Sequence, residues 1–325
     1  MRVLVTGSAG HLGEALVRTL RTAGHDVVGL DVLGSPHTDV VASVTERAAV
    51  REAVAGADAV LHTATLHKPH VGSHSRQEFV DANVTGTLVL LEEAVDAGAG
   101  VFVHTSTTSA FGRALTPGEG DPAAWITEDV VPRPRNIYGV TKVAGEDLCE
   151  LVARDHGLAC IVLRTSRFFP EEDDDEQRRS GYADANLKVN ELLYRRIDLS
   201  DVVGAHRAAM TRGPQIGFAR YVISATTPFG PEDLAELRRD APALVERLFP
   251  DYVDVYRRLG WRMLPGIDRV YVNARARAEL DWEPRYDFRH ALDLLRVGEI
   301  PRSALATSVG AKGYHSVPTG PYTTR

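Results

Sequence analysis

A chain of 325 residues that is 44% hydrophobic and 25% charged is long enough to bury a full α/β core and still build a second, smaller lobe. Its 37 basic and 44 acidic residues leave a net charge of -7, which excludes a global positive field for nucleic acid or for an anionic membrane surface. Only two cysteines occur, Cys149 and Cys160, as expected of reduced core thiols in a cytoplasmic protein. With no run of 18 apolar residues and no signal-peptide pattern, neither membrane spanning nor secretion is expected.

Over the first 165 residues, short β-branched runs alternate with longer helical patterns, the signature of a parallel sheet covered by helices on both faces. Strands are predicted at Arg2–Thr6, Asp26–Asp31, 39–42, Ala59–His62, 101–105 and 159–163, and helices at 11–23, 45–55, 76–97 and 136–155. The fold class that follows is α/β, a doubly wound parallel sheet over residues 1–170. Beyond Pro170 the rhythm changes to an acidic stretch and then to Pro- and Arg-rich segments, so 171–325 is expected to form mainly a substrate-binding lobe, with some segments returning to the first domain. The tail from Ser303 shows no helical period and is expected to lie over the surface or to reach toward a partner chain.

Gly7, Gly10 and Gly13 follow the first strand directly and precede an amphipathic helix. Glycines there let the backbone approach a pyrophosphate, whose charge then faces the unpaired amides of a helix N-terminus. This is a Rossmann-type turn. Asp31 ends the second strand, where a carboxylate accepts hydrogen bonds from an adenosine ribose. A 2'-phosphate would be repelled by that charge, and Val32, Leu33 and Gly34 supply no arginine to offset it, so NAD is expected rather than NADP.

Tyr138 and Lys142 stand four apart at the start of a helical segment and so project from one face. A free phenol, with a pKa of about 10, is a poor base at neutral pH; an adjacent ammonium and a positively charged nicotinamide both favour the phenolate. Tyr138 is therefore expected to exchange a proton with a substrate hydroxyl or carbonyl while hydride passes to or from the cofactor.

With these residues in place, the chain resembles an extended short-chain dehydrogenase/reductase of the NAD-dependent epimerase/dehydratase family over nearly its whole length. The resemblance implies that Gly7, Gly10, His11, Leu12 and Gly13 line the cofactor, together with Thr63, Ala64 and Thr65 after the fourth strand. Asn83 in the Asn-x-x-Gly-Thr segment, Thr105, and Ser43 with Val44 are assigned the same task, as are Tyr138 and Lys142. In the run from Val103 to Gly112, Thr107 takes the catalytic hydroxyl position, with Ser106 and Thr108 as alternatives one residue away. The segment Glu279 to Pro284 resembles the family's closing signature, and the helices at 76–97 and 136–155 are expected to pair in a homodimer.

The sequence also departs from that pattern. Ser43 stands where many relatives carry an Asp for the adenine amine. Thr108 and Ser109 replace the Asp-Glu pair that dehydratases use, which disfavours elimination of water. Arg167 occupies the place of an Asn that contacts a nucleotide diphosphate, and its guanidinium suits a diphosphate or a single carboxylate. The acidic run Glu171, Glu172, Asp173, Asp174, Asp175 and Glu176 follows at once; it either faces solvent or signals a substrate other than a nucleotide sugar. Arg195 and Arg196 fall where relatives bind phosphate, and Arg196 is taken with Thr107 and Arg167 as a substrate residue. The loop from His67 to His74 is broken by Pro69 and Gly72, so polar contacts at the substrate mouth are expected there and a metal is not. These features favour an NAD-dependent oxidoreductase or epimerase acting on a sugar nucleotide. The alternative is a dehydrogenase of a free sugar or sugar acid, resembling uronate dehydrogenases, and a non-catalytic NAD-sensing regulator ranks last.

Overall fold

β1 (Arg2–Thr6) buries Val3, Leu4 and Val5 completely, as a central parallel strand covered on both faces must. In the computed structural model, which describes residues 1–173 and 175–312, it is followed by α1 (His11–Thr22), β2 (Asp26–Asp31), β3 (Val40–Val41), α2 (Arg47–Val54) and β4 (Ala59–His62). Next come α3 (Arg76–Val80), α4 (Gly86–Asp96), β5 (Val101–Thr107), β6 (Ala124–Ile126), α5 (Ile137–His156) and β7 (Ala159–Thr165). The remaining elements are α6 (Glu176–Gly181), α7 (Asp184–Glu191), α8 (Leu199–Ile216), β8 (Phe218–Ile223), α9 (Leu234–Arg239), α10 (Ala241–Leu248) and α11 (Tyr252–Leu259). They end with β9 (Arg269–Tyr271), α12 (Ala274–Leu280), α13 (Phe288–Arg296) and α14 (Ala304–Val309). Asp174 and the tail beyond Lys312 lie outside the described residues.

Seven strands form one parallel sheet in the order β3-β2-β1-β4-β5-β7-β8, the Rossmann-type doubly wound arrangement. Strand order reverses between β1 and β4, which opens a crevice at their carboxyl ends where such folds bind ligands. One face packs α1, α8 and α12 around Leu16, Leu20, Val202 and Tyr221; the other packs α2, α4 and α5 around Leu30, Leu90, Phe102 and Val162. A separate core, with Leu193, Leu237, Leu244, Val270 and Leu292 at its centre, organises the smaller lobe, and a two-stranded sheet of β6 and β9 joins that lobe to the crevice. α8 and β8 lie beyond residue 170 and belong to the main sheet.

Helix α5 starts where Asn136 accepts a hydrogen bond from the Gly139 amide and ends at Gly157 in the left-handed region, φ 72°, so both ends are fixed by local chemistry. The single helix predicted at 76–97 is interrupted by a π-helical turn at Asp81–Thr85, a departure that positions Asn83 inward. The tail expectation also changes: 304–309 is helical, capped by Ser303, and packs on α1 and α8 with Val309 buried. Six residues are too few to show a hydrophobic period, and the anchor is a hydrogen bond from the Ser303 amide to Asp198 Oδ2 at 2.9 Å. Among the described residues no helix is long and apolar enough to cross a membrane.

Among the described residues, His62 on β4, His104 on β5 and His206 on α8 are buried within the sheet layers. His206 donates from Nδ1 to the Val202 carbonyl and faces the Thr105 hydroxyl at 2.8 Å, and burial pulls it down to about 4. Its folded-state affinity for a proton lies below that of the unfolded chain, so it stabilises the fold fully above pH ~6.5 and less as pH falls toward 4. At pH 4 this single group removes about 3 kcal/mol. Denaturant unfolding of wild type and His206→Gln is expected to show their stability difference shrinking by that order between pH 7.5 and 4.

Candidate active site

The crevice is a cavity of about 1050 Å³ at the carboxyl ends of the parallel strands, at the upper end of small-molecule sites and roomy enough for a dinucleotide with a second ligand. Its floor is the glycine turn. Gly7 has φ 73°, and a Cβ there would stand 2.7 Å from the Ala64 amide nitrogen; a Cβ on Gly13 would reach within 1.9 Å of the Gly7 carbonyl oxygen. Gly10 precedes α1 with no side chain capping the helix, so the first turn presents bare amides to the cavity. These features fit a dinucleotide pyrophosphate.

Asp31 stands at the rim, its Oδ2 accepting from the Ala9 amide at 3.0 Å and its Oδ1 from the Leu33 amide at 2.9 Å, which fixes the carboxylate's orientation. Exposed Val32 and Leu33, with Ser43 and Val44, continue this wall of the cavity. His11, Leu12, Thr63, Ala64, Thr65 and Thr105 also line the cavity. Asn83 does not: it is buried, accepting from Thr65 Oγ1 (2.9 Å) and the Leu66 amide (2.8 Å) and donating to the Leu66 carbonyl (2.8 Å) and Thr141 Oγ1 (3.0 Å). It braces the loop after β4 against α5.

At the far end, Thr107 closes β5, and it and Tyr138 both line the cavity. Ser106 donates its hydroxyl to Glu146 at 2.5 Å and is thereby committed to the interior, which favours Thr107 over its neighbour as the hydroxyl for substrate. Burial raises the Tyr138 phenol to about 12, outweighing the Thr107 hydrogen bond, and lowers Lys142 to about 8 against the pull of Cys149 and Glu146. The expected lowering of Tyr138 by the lysine is therefore absent, because desolvation dominates. Lys142 lies almost wholly buried behind the wall.

The acidic run does not simply face solvent. Asp173 is buried and joins Arg167 Nη1 (2.5 Å) to Arg195 Nη2 (2.8 Å), while Glu191 holds Arg195 and, at 2.8 Å, Arg196 Nε. Burial would raise the Glu191 carboxyl, but the three arginines hold it far below its usual range. Glu171 is likewise buried: it meets His11 Nε2 at 2.9 Å and accepts from the Lys312 amide at 3.2 Å, while the Lys312 ammonium pairs with Glu14. Arg167 and Arg195 line the cavity; Arg196 turns inward to Glu191 and the Phe169 carbonyl, so the substrate-facing arginine of the pair is Arg195. The histidine loop forms a short 3-10 helix, Lys68–Gly72, with His67, Lys68, Pro69, His70 and His74 on the cavity wall. Among the described residues no cluster of metal-ligating side chains occurs.

A family model described as the NAD dependent epimerase/dehydratase family matches residues 3–215. The chain belongs to this family. A dTDP-glucose 4,6-dehydratase of Streptomyces niveus is 36% identical over 191 residues, 52% of this chain and 55% of that protein, so the chain spans about half the length of that relative. A 3-beta-hydroxysteroid dehydrogenase of Mycolicibacterium neoaurum is 26% identical over 336 residues, 90% of this chain and 89% of its own. A short-chain dehydrogenase/reductase superfamily protein of Agrobacterium tumefaciens, solved with bound NAD, shares the fold with a TM-score of 0.64 and 23% identity, covering 91% of this chain and 96% of that one.

Arg178, Tyr194, Asp268, Arg269, Tyr271 and Lys312 also line the cavity and were not legible as site residues. They come from the smaller lobe and the C-terminal strap, where no motif marks them.

Gly13→Ala is expected to lose NAD binding by at least about 100-fold in calorimetry and to cost about 1–3 kcal/mol of stability, since the new methyl has no room beside the Gly7 carbonyl. Difference absorbance between wild type and Tyr138→Phe is expected to place ionisation of Tyr138 in the free protein near pH 12.

Proposed function

We propose that the protein oxidises, or oxidises and re-reduces, a hydroxyl of a sugar nucleotide. The observation that carries this reading is that Thr107 and Tyr138 line the same cavity as the glycine cradle, with Lys142 one helical turn behind Tyr138. In it, Thr107 and Tyr138 orient the reacting oxygen, and the Tyr138 Oη holds or releases its proton. NAD, held by the glycine turn and Asp31, supplies the hydride acceptor. Since the free phenol is neutral at physiological pH, Tyr138 is set to donate to a carbonyl; in the oxidative direction the rate is expected to rise with pH as the phenolate becomes accessible.

A sugar nucleotide is supported by the cationic wall of Lys68, Arg167, Arg178 and Arg195, which suits phosphate oxygens, and by the dTDP-glucose named for one relative. Thr108 and Ser109 supply no carboxylates for elimination, so dehydration is disfavoured. One observation favours the second reading, a free sugar or sugar acid: Asp173 and Glu191 already balance most of the charge of Arg167, Arg195 and Arg196. The buried, unbridged Cys149 and Cys160 thiols suit a reducing cytoplasm.

The outer face of α5 leaves Val140 49% and Leu151 40% exposed, in line with Ala144 and Leu148 at helical spacing, and this stripe supports a homodimer through α4 and α5. Light scattering at micromolar concentration is expected to give twice the chain mass; a monomer would remove the dimer. Tyr138→Phe is expected to bind NAD as wild type does and to lose about 10²–10⁴ of turnover, measured as NADH formation across a panel of nucleotide sugars and free sugars. Wild-type turnover in that variant refutes the assignment.

A further inference from the structure

We propose that Arg269 is the anchor for a carboxylate on the substrate, close to the hydroxyl that reacts, so that the enzyme's substrate is an acidic sugar of the uronate class. This rests on the hydroxyl-oxidising reading above and narrows it.

Arg269 is 8% exposed and lines the cavity. Its Nη1 makes a long hydrogen bond to the Gly112 carbonyl, 3.4 Å, and its Nη2 is buried with no hydrogen-bond partner. Among the described residues no carboxylate pairs with it, although Asp268 is its chain neighbour. The other buried arginines differ: Arg164 is paired with Glu146 at 2.7 Å and Arg196 with Glu191, while the half-buried Arg167 and Arg195 share Asp173. A buried guanidinium with an idle amino group is unfavourable by itself, and a ligand oxyanion removes that penalty.

Position then selects the kind of oxyanion. Residues alternate along β9, so Arg269 and Tyr271 face the cavity while Val270 enters the core of the smaller lobe. The pairing of β9 with β6 fixes the backbone, and the stacking of Tyr271 on Phe111, centroids 5.9 Å apart, fixes the wall beside the guanidinium. Gly112, which Arg269 touches, ends the segment that begins at Thr107 and carries Thr108 and Ser109 along the cavity. Arg269 therefore reaches into the neighbourhood of the reacting hydroxyl from the smaller lobe, whereas the candidate phosphate arginines Arg167 and Arg195 come from the ends of β7 and α7. An acidic group at Arg269 belongs to the ring being oxidised. A planar carboxylate matches the two amino groups of a guanidinium in bidentate fashion.

The test uses matched pairs that differ only by the acid: glucuronate with glucose, and UDP-glucuronate with UDP-glucose, with UDP alone as reference. Binding to the NAD-loaded protein is measured by calorimetry, and turnover by NADH absorbance. Wild type is expected to favour the acid of at least one pair by about 100-fold, the size of effect expected for a desolvated charge pair. Arg269→Met is expected to reduce that preference below about threefold, with NAD affinity unchanged and thermal stability equal or higher, and Arg269→Lys to restore part of it. Equal binding of acid and neutral sugar by wild type, or an acid preference that survives Arg269→Met, overturns the proposal. A loss in Arg269→Met that is the same for UDP, UDP-glucose and UDP-glucuronate assigns the residue to the diphosphate and also overturns it. Arg269-dependent binding of the acid without turnover would uphold this inference while removing the oxidoreductase reading; turnover of a neutral sugar without acid preference would do the reverse.

Discussion

The buried carboxylate of Glu146 ties the helix that carries Tyr138 and Lys142 to three neighbouring strands. It accepts from Ser106 on β5 at 2.5 Å, pairs with Arg164 on β7 at 2.7 Å and meets Arg220 on β8 at 3.3 Å. Tyr138, Lys142 and Glu146 succeed one another at four-residue intervals, so a lock on the third sets the height and rotation of the first two against β5. Ser106 immediately precedes Thr107, and the same lock therefore fixes the strand end from which the Thr107 hydroxyl meets the phenol. The ion pair need not add net stability; its value is geometric, since removing one partner leaves a buried charge and costs about 3–5 kcal/mol. Glu146 also helps keep Lys142 charged against the desolvation that pulls it down.

The rest of the site is a division of charge around one cavity. On the proposed reading, Asp31 at the rim would reject a further phosphate and the uncapped N-terminus of α1 would accept a pyrophosphate, while the other end is rich in guanidinium groups, some already balanced by Asp173 and Glu191. The acidic run is thus part of the wall. Through Glu171 it also contacts His11 in the cofactor turn, and Lys312 closes the same corner, so cofactor and substrate loops share one polar network. Residues that seem to offer charge to a ligand must therefore be judged by what remains after internal pairing, which is why Arg269 stands apart from its neighbours.

The parallel sheet, the glycine turn, Asp31 and the Tyr-Lys pair were legible in the sequence because each is local: strand, turn and helix follow one another within a few residues, and spacing alone brings the groups together. The break in the 76–97 helix was not, because its hydrophobic period is preserved across the π turn while the inward rotation of Asn83 answers to partners at Leu66 and Thr141. The pairing of Asp173 with Arg195 was hidden for the same reason, spanning 22 residues. Charge runs are usually solvated, and only the tertiary fold shows that this one meets arginines from the end of β7 and from the turn after α7. The choice between Arg195 and Arg196 was likewise undecidable from adjacency, since neighbouring residues face opposite ways. Cavity residues from the smaller lobe, Arg178, Arg269 and Tyr271, lie on short elements with no motif around them.

Hydride transfer at this site depends on where the reacting end of the cofactor lies relative to Tyr138. A crystal structure of the NAD complex measures this. The pyrophosphate is predicted at the N-terminus of α1, the adenosine ribose on Asp31, and the nicotinamide beside Thr107 and Tyr138, leaving room for a substrate oxygen about 3–3.5 Å from both hydroxyls. A cofactor whose nicotinamide points away from Tyr138, or one bound elsewhere than on the glycine turn, would contradict it.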